Sequence, residues 1–308
     1  MKKSLPILAL LLAACLLLSA CGTADAPETT TAATTEAPTT EASLTTQTPE
    51  CTAHTWGEWT VIKEASKLED GQRQQLCTTC NTPNTEIIHA TGSQGLRYAS
   101  TESGIIVEGI GTCSDADLII PAYHNGKPIV AIKANAFLKC SKIKTVTLLG
   151  NVTDIGQSVF SQCPNLEKVT LCDSVKTLGA QIFSFSPALT EVVLSKELSA
   201  LPYAAFLECS SLKKVVIPDS TTAIGEYCFR DCPALEEITI GAGVLQIGKY
   251  AFYGCQRLTS VEIPDGVTSI EEMTFGLCSS LTEVVIPKSV RSISEDAFWA
   301  CESLSPQR

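Results

Sequence analysis

One residue pattern constrains the fold of this chain more than any other: Phe recurs every 23 residues, eight times, with no insertion. Three residues after each Phe stands Cys, with one Ser exception, and six residues after it stands Leu or Ile. The recurring aromatic positions are Phe137, Phe160, Phe183, Phe206, Phe229, Phe252, Phe275 and Phe298. Phased copies of this kind predict a repeat array, since stacked copies bury together the apolar faces that one copy cannot bury alone.

Each repeat divides into two parts with different periodicity. In the segment after the recurring Leu or Ile, inward and outward side chains alternate, as in Val215-Val216-Ile217. This alternation predicts a short strand with one inward face. The Ala-Phe-x-x-Cys-x-x-Leu segment has apolar spacings of three, which predict a short helical turn. We therefore expect an α/β repeat solenoid, a leucine-rich-repeat array of about eight 23-residue units over 129–308, with 93–128 as its N-terminal cap.

The repeat unit also resembles a known family. Its consensus, Ile-Gly-x-x-Ala-Phe-x-x-Cys-x-x-Leu-x-x-Val-x-Ile-Pro, closely resembles the BspA-type leucine-rich repeat of bacterial and protozoan cell-surface proteins. The resemblance covers about two thirds of the chain; the first copy departs most, with Lys133 in place of Gly and Leu149 in place of Pro. It implies a non-catalytic, adhesin-like surface protein that binds a host or bacterial surface protein or glycan.

The N-terminal residues predict secretion and lipidation. Lys2 and Lys3 precede an apolar stretch, which ends at Ser19-Ala20-Cys21. Small residues followed by Cys resemble a bacterial lipobox, which implies a lipoprotein signal peptide over 1–20 and membrane anchoring through a lipid on Cys21. An uncleaved membrane helix is the alternative, but the apolar stretch falls short of the ~20 residues that a spanning helix needs. A second lipobox match ends at Cys15.

Residues 21–50 predict a disordered linker. Eleven of the 29 residues from 22 to 50 are Thr, and Ala, Pro and Glu make up most of the rest. Such a composition buries too little apolar surface to offset the loss of chain entropy on folding. We expect this segment to act as a stalk that separates the later domains from the membrane.

Residues 51–92 predict a small Cys/His module. Cys51-x-x-His54 precedes Cys77-x-x-Cys80, and His89 follows. Two such pairs offer the four thiolate and imidazole ligands of a tetrahedral structural zinc. The Trp56, Trp59 and Asp70-Gly71 positions also resemble a short repeat of gut bacterial surface proteins. The alternatives are a disulfide, Cys77–Cys80 or Cys51–Cys77, and free thiols, because the module is predicted to lie outside the cytoplasm.

Two features of the array remain: the column of Cys residues three positions after each repeating Phe, and the outward positions of the strands. Ser186 occupies the Cys position on one repeat, which favours a slot selected for small size over a metal ladder or disulfides. Outward strand positions alternate Lys and Glu in one column, which predicts cross-strand ion pairs. We expect partner contacts at two groups of exposed residues, one on the strands and one in the turns: Val193, Val216, Thr239, Tyr227, Tyr250 and Tyr253.

Charge and residue types exclude several other functions. The chain carries 22 Lys and Arg against 33 Asp and Glu, a formal charge of −11, which argues against nucleic acid as a partner. Its three His residues all precede residue 125, and no Gly-rich phosphate loop or nucleophile motif occurs. We expect no enzyme activity and no cofactor besides the zinc. A structural or envelope-assembly lipoprotein without a foreign ligand is the alternative function.

Overall fold

The computed structural model describes residues 51 and 53–305, all within one compact unit, Pro49–Arg308. The predicted signal peptide, Cys21 and the linker lie outside the described residues, and the domain boundaries remain predictions. Within the described part of the chain, the secondary structure consists of strands and turns without a helix. No segment there forms a helix that could span a membrane.

The strands before the repeats form a small sheet and the start of the solenoid. The small sheet is antiparallel, in the order β1-β2-β3, and belongs to the Cys/His module. The bounds of the first eight strands are β1 Thr60–Lys63, β2 Gly71–Leu76, β3 Pro83–Ile88, β4 Arg97–Ser100, β5 Ile105–Gly109, β6 Asp117–Ile120, β7 Tyr123–His124 and β8 Lys127–Ile132. β6 pairs in parallel with the first repeat strand, so this segment begins the stack.

The predicted repeat strands form a parallel ladder, which we call the strand face. It runs β6-β9-β11-β13-β15-β17 and continues as the pair β19-β21. The strands are β9 Thr145–Leu148, β11 Lys168–Thr170, β13 Glu191–Val193, β15 Lys214–Val216, β17 Glu237–Thr239, β19 Ser260–Glu262 and β21 Glu283–Val285. Equivalent residues pair, as Lys168 does with Glu191, so the register is one repeat. The central residue of each of these repeat strands, Val or in β17 Ile238, points inward, because alternate residues of a strand face opposite sides.

A second parallel ladder runs through the residues just before each repeating Phe, where no strand was predicted. Its two-residue strands are β10 Asp154–Ile155, β12 Thr177–Leu178, β14 Ala200–Leu201, β16 Ala223–Ile224, β18 Gln246–Ile247, β20 Ser269–Ile270 and β22 Ser292–Ile293. β10 pairs with β8 and β12, so this ladder begins in the N-terminal strands. Ile155, Ile224 and Ile270 are buried, which explains the recurring aliphatic residue five positions before Phe.

The eight-unit solenoid is confirmed, but the predicted helical turn is wrong. We number the repeats as rungs 1 to 8, from the one with Phe137 to the one with Phe298. On rung 5, the N–H groups of Tyr227, Phe229 and Asp231 donate to carbonyls of rung 6, at 3.1, 2.7 and 2.7 Å. The intervening N–H of Arg230 donates three residues back, to Tyr227. Tyr227 and Asp231 have φ of 57° and 56°, so left-handed residues interrupt any helix.

These consecutive turns form the third side of the solenoid, which we call the turn face. Positive φ recurs two residues before and two residues after the Phe on most rungs. Alternate N–H groups thereby point along the solenoid axis and pair with the next rung. Hydrogen bonding between rungs therefore replaces the hydrogen bonding that a helix would make within one segment.

The core contains a continuous stack of the eight Phe rings. Adjacent ring centroids lie between 5.0 and 6.0 Å apart, and most of the rings are nearly parallel. Seven of the eight, Phe137 to Phe275, are fully buried. Each stacked pair contributes about 0.5–1.5 kcal/mol beyond the burial of its apolar area. One aromatic residue per rung thus holds neighbouring repeats in register.

The Cys slot requires a hydrogen-bond donor as well as small size. On rung 5 the Sγ of Cys232 donates to the carbonyl of Phe206 on rung 4, at 3.1 Å. The same bond, 26 residues back, recurs at Cys163, Cys209, Cys255, Cys278 and Cys301. Ser186 donates through its hydroxyl to Phe160 at 3.0 Å. Selection for size alone is therefore an incomplete explanation of this column.

Candidate metal centre and binding surfaces

The four predicted ligands come together beside the sheet of the module. Cys77 directly follows β2 and forms an isolated bridge with Trp56, which brings the two Cys-containing segments side by side. A tight turn follows, in which the N–H of Asn81 donates to the carbonyl of Cys77 at 2.9 Å. Asn81 has φ of 58°, a conformation that Asn tolerates better than most residues. This turn directs Cys80 back toward Cys77.

The distances within this cluster match a tetrahedral metal site. One ligand atom from each of Cys51, His54, Cys77 and Cys80 lies within 4.8 Å of all the others. The Sγ atoms of Cys51 and Cys77 are 3.7 Å apart, and Cys80 Sγ lies 3.4 Å from His54 Nδ1. Sulfur ligands of a tetrahedral zinc stand about 3.8 Å apart, since each Zn–S bond is about 2.3 Å. The arrangement therefore can hold a metal ion at its centre.

The electrostatics of the cluster distinguish its thiols. Backbone N–H groups of Cys80 and Thr79 donate toward the Cys77 sulfur and lower its pKa to about 5. Hydrogen bonds from Thr82 lower the pKa of Cys80. Burial raises the pKa of Cys51 to about 11. Three thiols and one imidazole so close together suit a divalent cation, which takes the place of protons and screens the thiolates from one another.

The module has very little hydrophobic core. Within its described residues, Cys77 and Ala90 are the only apolar residues that are buried. Ile62 and Ile87 are 52% and 54% exposed. Arg73 covers one Trp59 ring face at 4.7 Å and pairs with Glu86 at 2.6 Å. A domain this small needs another source of stability, which a metal at the cluster would supply.

His89 is not part of the cluster and serves the junction with the solenoid. Its ring stacks on Tyr123 with centroids 3.8 Å apart, and its Nδ1 lies 3.6 Å from Asp70. Lys67 of the module also pairs with Asp115 at 2.7 Å. The Asp115 carboxylate accepts a second bond, from Ser93, and both partners lower its pKa.

The strand face presents the predicted outward residues. Val193 and Val216 are 43% and 53% exposed, and Thr239 is exposed on the next rung. Beside them, Lys168 pairs with Glu191 at 2.8 Å and Lys214 pairs with Glu237 at 2.6 Å. This face therefore combines a β-branched column with a column of cross-strand ion pairs, as the alternation predicted.

The turn face brings the three predicted tyrosines together. Tyr227 stacks on Tyr250 at 5.2 Å, and Tyr253 lies 5.7 Å from Tyr250. The guanidinium of Arg230 lies over all three rings, at 5.4, 5.9 and 5.2 Å from their centroids. We call these four residues the tyrosine cluster. Arg230 was not among the predicted contact residues, although its place one residue after Phe229, like that of Tyr253 after Phe252, would have indicated it.

A groove next to the tyrosine cluster also escaped the sequence analysis. It has a volume of about 490 Å³ and crosses rungs 3 to 6. One wall consists of the residues two positions after each repeating Phe, and the other wall consists of the residues four positions after it. The lining residues are Phe185, Pro187, Glu208, Ser210, Asp231, Pro233, Gly254 and Gln256. Because these residues differ from repeat to repeat, the repeating consensus gave no signal for the groove.

The repeats match an established family model. The model described as BspA type leucine-rich repeat region matches six copies, over residues 124–234 and 199–306. This chain belongs to the BspA type leucine-rich repeat family. The match covers more than half of the 308 residues. It spans the strand face from β9 onward, the tyrosine cluster and the groove.

The chain is similar to solved bacterial leucine-rich repeat structures. A leucine-rich repeat protein from T. pallidum, TpLRR, matches 70% of this chain and 91% of its own length, with 26% identity and a TM-score of 0.55. A leucine-rich repeat protein from Eubacterium ventriosum matches 72% of this chain, which spans 54% of that protein, with 18% identity and a TM-score of 0.49. The comparison with curated proteins finds no match. The similarity to TpLRR supports the solenoid fold.

Proposed function

We propose that this chain is a lipid-anchored bacterial surface protein whose solenoid binds a protein or glycan partner without catalysing a reaction. The observation that carries the proposal is the tyrosine cluster. Its three rings and Arg230 lie on the surface of two adjacent rungs, partly exposed and in contact with one another. Interface hot spots are enriched in Tyr and Arg, because large rings bury much area at low entropic cost.

A binding experiment tests this role directly. The full chain is applied to arrays of host and bacterial surface proteins and of glycans, and we expect a saturable partner. Changing Tyr227, Tyr250 and Tyr253 together to Ala should weaken binding by at least about 2 kcal/mol, the usual threshold for a hot spot. Leu245→Ala is the matched control, since Leu245 is 52% exposed and outside the cluster. Absence of any partner on both arrays would contradict the proposed function.

The strand face is a second surface in the same proposal. Val193, Val216 and Thr239 offer an apolar and β-branched column without aromatic rings. Val216→Lys introduces a charge at its centre without disturbing the inward Val215. Loss of binding in this variant but not in the tyrosine variant would place the partner on the strand face.

The anchor is proposed at Cys21. A diacylated Cys supplies two chains, which is what stable membrane anchoring generally requires. Cells that express the full chain should incorporate labelled palmitate into it, and Cys21→Ala should remove the label and release the protein. Protease added to intact cells should cleave the repeats. Label retained in Cys21→Ala, or protection of the repeats from protease, would refute the proposed anchoring or location.

We also propose that Cys51, His54, Cys77 and Cys80 hold a structural zinc. Bound there, zinc would join the segment before β1 to the turn after β2 and offset the small core of the module. The purified chain should contain about one equivalent of zinc, and a chelator should unfold the module while the repeats stay folded. Cys77→Ser should lose the metal, whereas the control Cys255→Ser should keep it. A metal-free protein two protons lighter, with one disulfide in the module, would overturn the zinc assignment.

A further inference from the structure

The groove across rungs 3 to 6 is built on a fixed backbone. The residues of its first wall, Phe185, Glu208, Asp231 and Gly254, each donate their N–H to a carbonyl of the next rung, at 2.7 to 2.9 Å. All four have positive φ, between 56° and 74°. The wall therefore exists before any ligand binds, which lowers the entropic cost of binding.

Gly254 keeps one end of the groove open. A Cβ at this position would lie 2.5 Å from the Oδ1 of Asp231. Backbone conformation alone does not require glycine here, because Leu277 has φ of 58° at the equivalent position of rung 7. The absence of a side chain at Gly254 thus leaves the Asp231 carboxylate accessible from the groove.

The groove combines apolar contact surface with negative charge. Phe185, 37% exposed, and Pro187 and Pro233 supply the apolar lining. Glu208 and Asp231 supply two carboxylates, and no Lys, Arg or His lines the groove. Arg230 pairs with Oδ2 of Asp231 at 3.1 Å, whereas Glu208 has no ion-pair partner among the described residues. The groove is therefore complementary to a cationic ligand that also carries apolar groups.

The length of the groove fits a short extended peptide. Four rungs spaced about 4.8 Å apart span about 14 Å, and an extended chain advances about 3.3 Å per residue. About four residues therefore cross the groove. A Lys or Arg side chain can reach the Glu208 and Asp231 carboxylates while a neighbouring apolar side chain packs on Phe185.

We propose that this groove binds an extended polypeptide segment with a Lys or Arg next to an apolar residue. The proposal rests on the proposed binding function and assigns it a site and a partner class. A neutral glycan would leave the Glu208 carboxylate without a counter-charge, so a basic peptide suits this lining better. The tyrosine cluster borders the groove through Arg230 and extends the contact surface for a longer partner.

The test selects peptides on the protein and measures their affinity. A phage-displayed random heptapeptide library is panned on the full chain, and enriched peptides are synthesised for fluorescence anisotropy. We expect enrichment of Lys or Arg beside apolar residues. Glu208→Gln should weaken binding about tenfold, and the control Glu283→Gln, on the strand face, should not change it. Gly254→Leu should also weaken binding, because its Cβ would displace the Asp231 carboxylate and its side chain would fill the groove. Leu277 shows that leucine occurs with positive φ at the equivalent position of rung 7.

Several outcomes would overturn the assignment of the groove. They are the absence of enriched peptides, enrichment without basic residues, and equal binding to the wild type, Glu208→Gln and Gly254→Leu. Binding to a glycan that is lost in Glu208→Gln would also overturn it in favour of a carbohydrate site. If partners found on the arrays still bind the groove variants normally, the groove assignment is wrong but the proposed binding function stands. If the wild type binds no partner on any array, the proposed function fails as well.

Discussion

Replacement of Ser186 by Ala should reveal how much the polar atom of the Cys slot contributes to stability. Its Oγ accepts from the N–H of Cys163 at 3.1 Å and donates to the carbonyl of Phe160 at 3.0 Å. Ser186, Cys163 and Phe160 are all fully buried. Neither of these two backbone groups has another hydrogen-bond partner within the described chain. Alanine would therefore leave one donor and one acceptor unpaired in the core.

The expected loss follows from the cost of unpaired buried groups. Each costs about 1–3 kcal/mol, so Ser186→Ala should lower the free energy of unfolding by about 2–4 kcal/mol after some relaxation. Ser186→Cys restores the residue used by the other seven rungs, and on six of these the sulfur donates to a Phe carbonyl of the preceding rung. It should change stability by less than about 1 kcal/mol.

Urea unfolding of the full chain measures both changes. Amide hydrogen exchange at Cys163 assigns these stability changes to the slot, because the N–H of Cys163 loses its acceptor only in the Ser186→Ala variant. Comparable stability of Ser186→Ala and Ser186→Cys, with equal protection of the Cys163 amide, would refute the donor explanation of the slot. The small size of Cys and Ser would then suffice to explain why they occupy this position of the repeat.

Three further predictions concern the core, the thiols and the strand face. Phe229→Ala should cost about 3–5 kcal/mol in urea unfolding, since it opens a cavity in the middle of the ring stack; a loss under 1 kcal/mol would contradict the role of the stack. Burial raises the pKa of Cys209 to about 12, so at pH 8 iodoacetamide should label it only after unfolding, as peptide mass spectrometry will show. Lys214→Glu places like charges opposite Glu191 and Glu237, and we expect a loss of about 1 kcal/mol that shrinks at high salt.

The strands of the strand face were predictable because the pattern that specifies them lies within one repeat. Alternation over Val215, Val216 and Ile217 specifies which side chains face inward, whatever the neighbouring rung contains. The 23-residue period then specifies the pairing, so Lys214 meets Glu237 without any further information. The four predicted metal-binding residues of the module do come together, as their spacing in two pairs suggested.

The conformation of the turn face was mispredicted because it depends on hydrogen bonds between neighbouring repeats. A spacing of three between Phe229 and Cys232 fits a helix equally well. The left-handed residues that prevent the helix include Ala204, Tyr227 and Met273, types that carry no signal for positive φ. Their strain is offset by N–H groups that pair with the next rung, and a single repeat contains no partner for these groups.

The sequence by itself determined the repeat architecture, the inward columns and the four residues of the Cys/His cluster, because periodicity and the spacing of Cys and His are local properties of the chain. Only the tertiary structure decided that the Cys column donates hydrogen bonds, that Arg230 lies over three tyrosines and that Gly254 opens a groove beside Asp231. Each of these arrangements includes contacts between neighbouring rungs, over 20 to 26 residues of sequence, and such contacts exist only once the rungs are stacked.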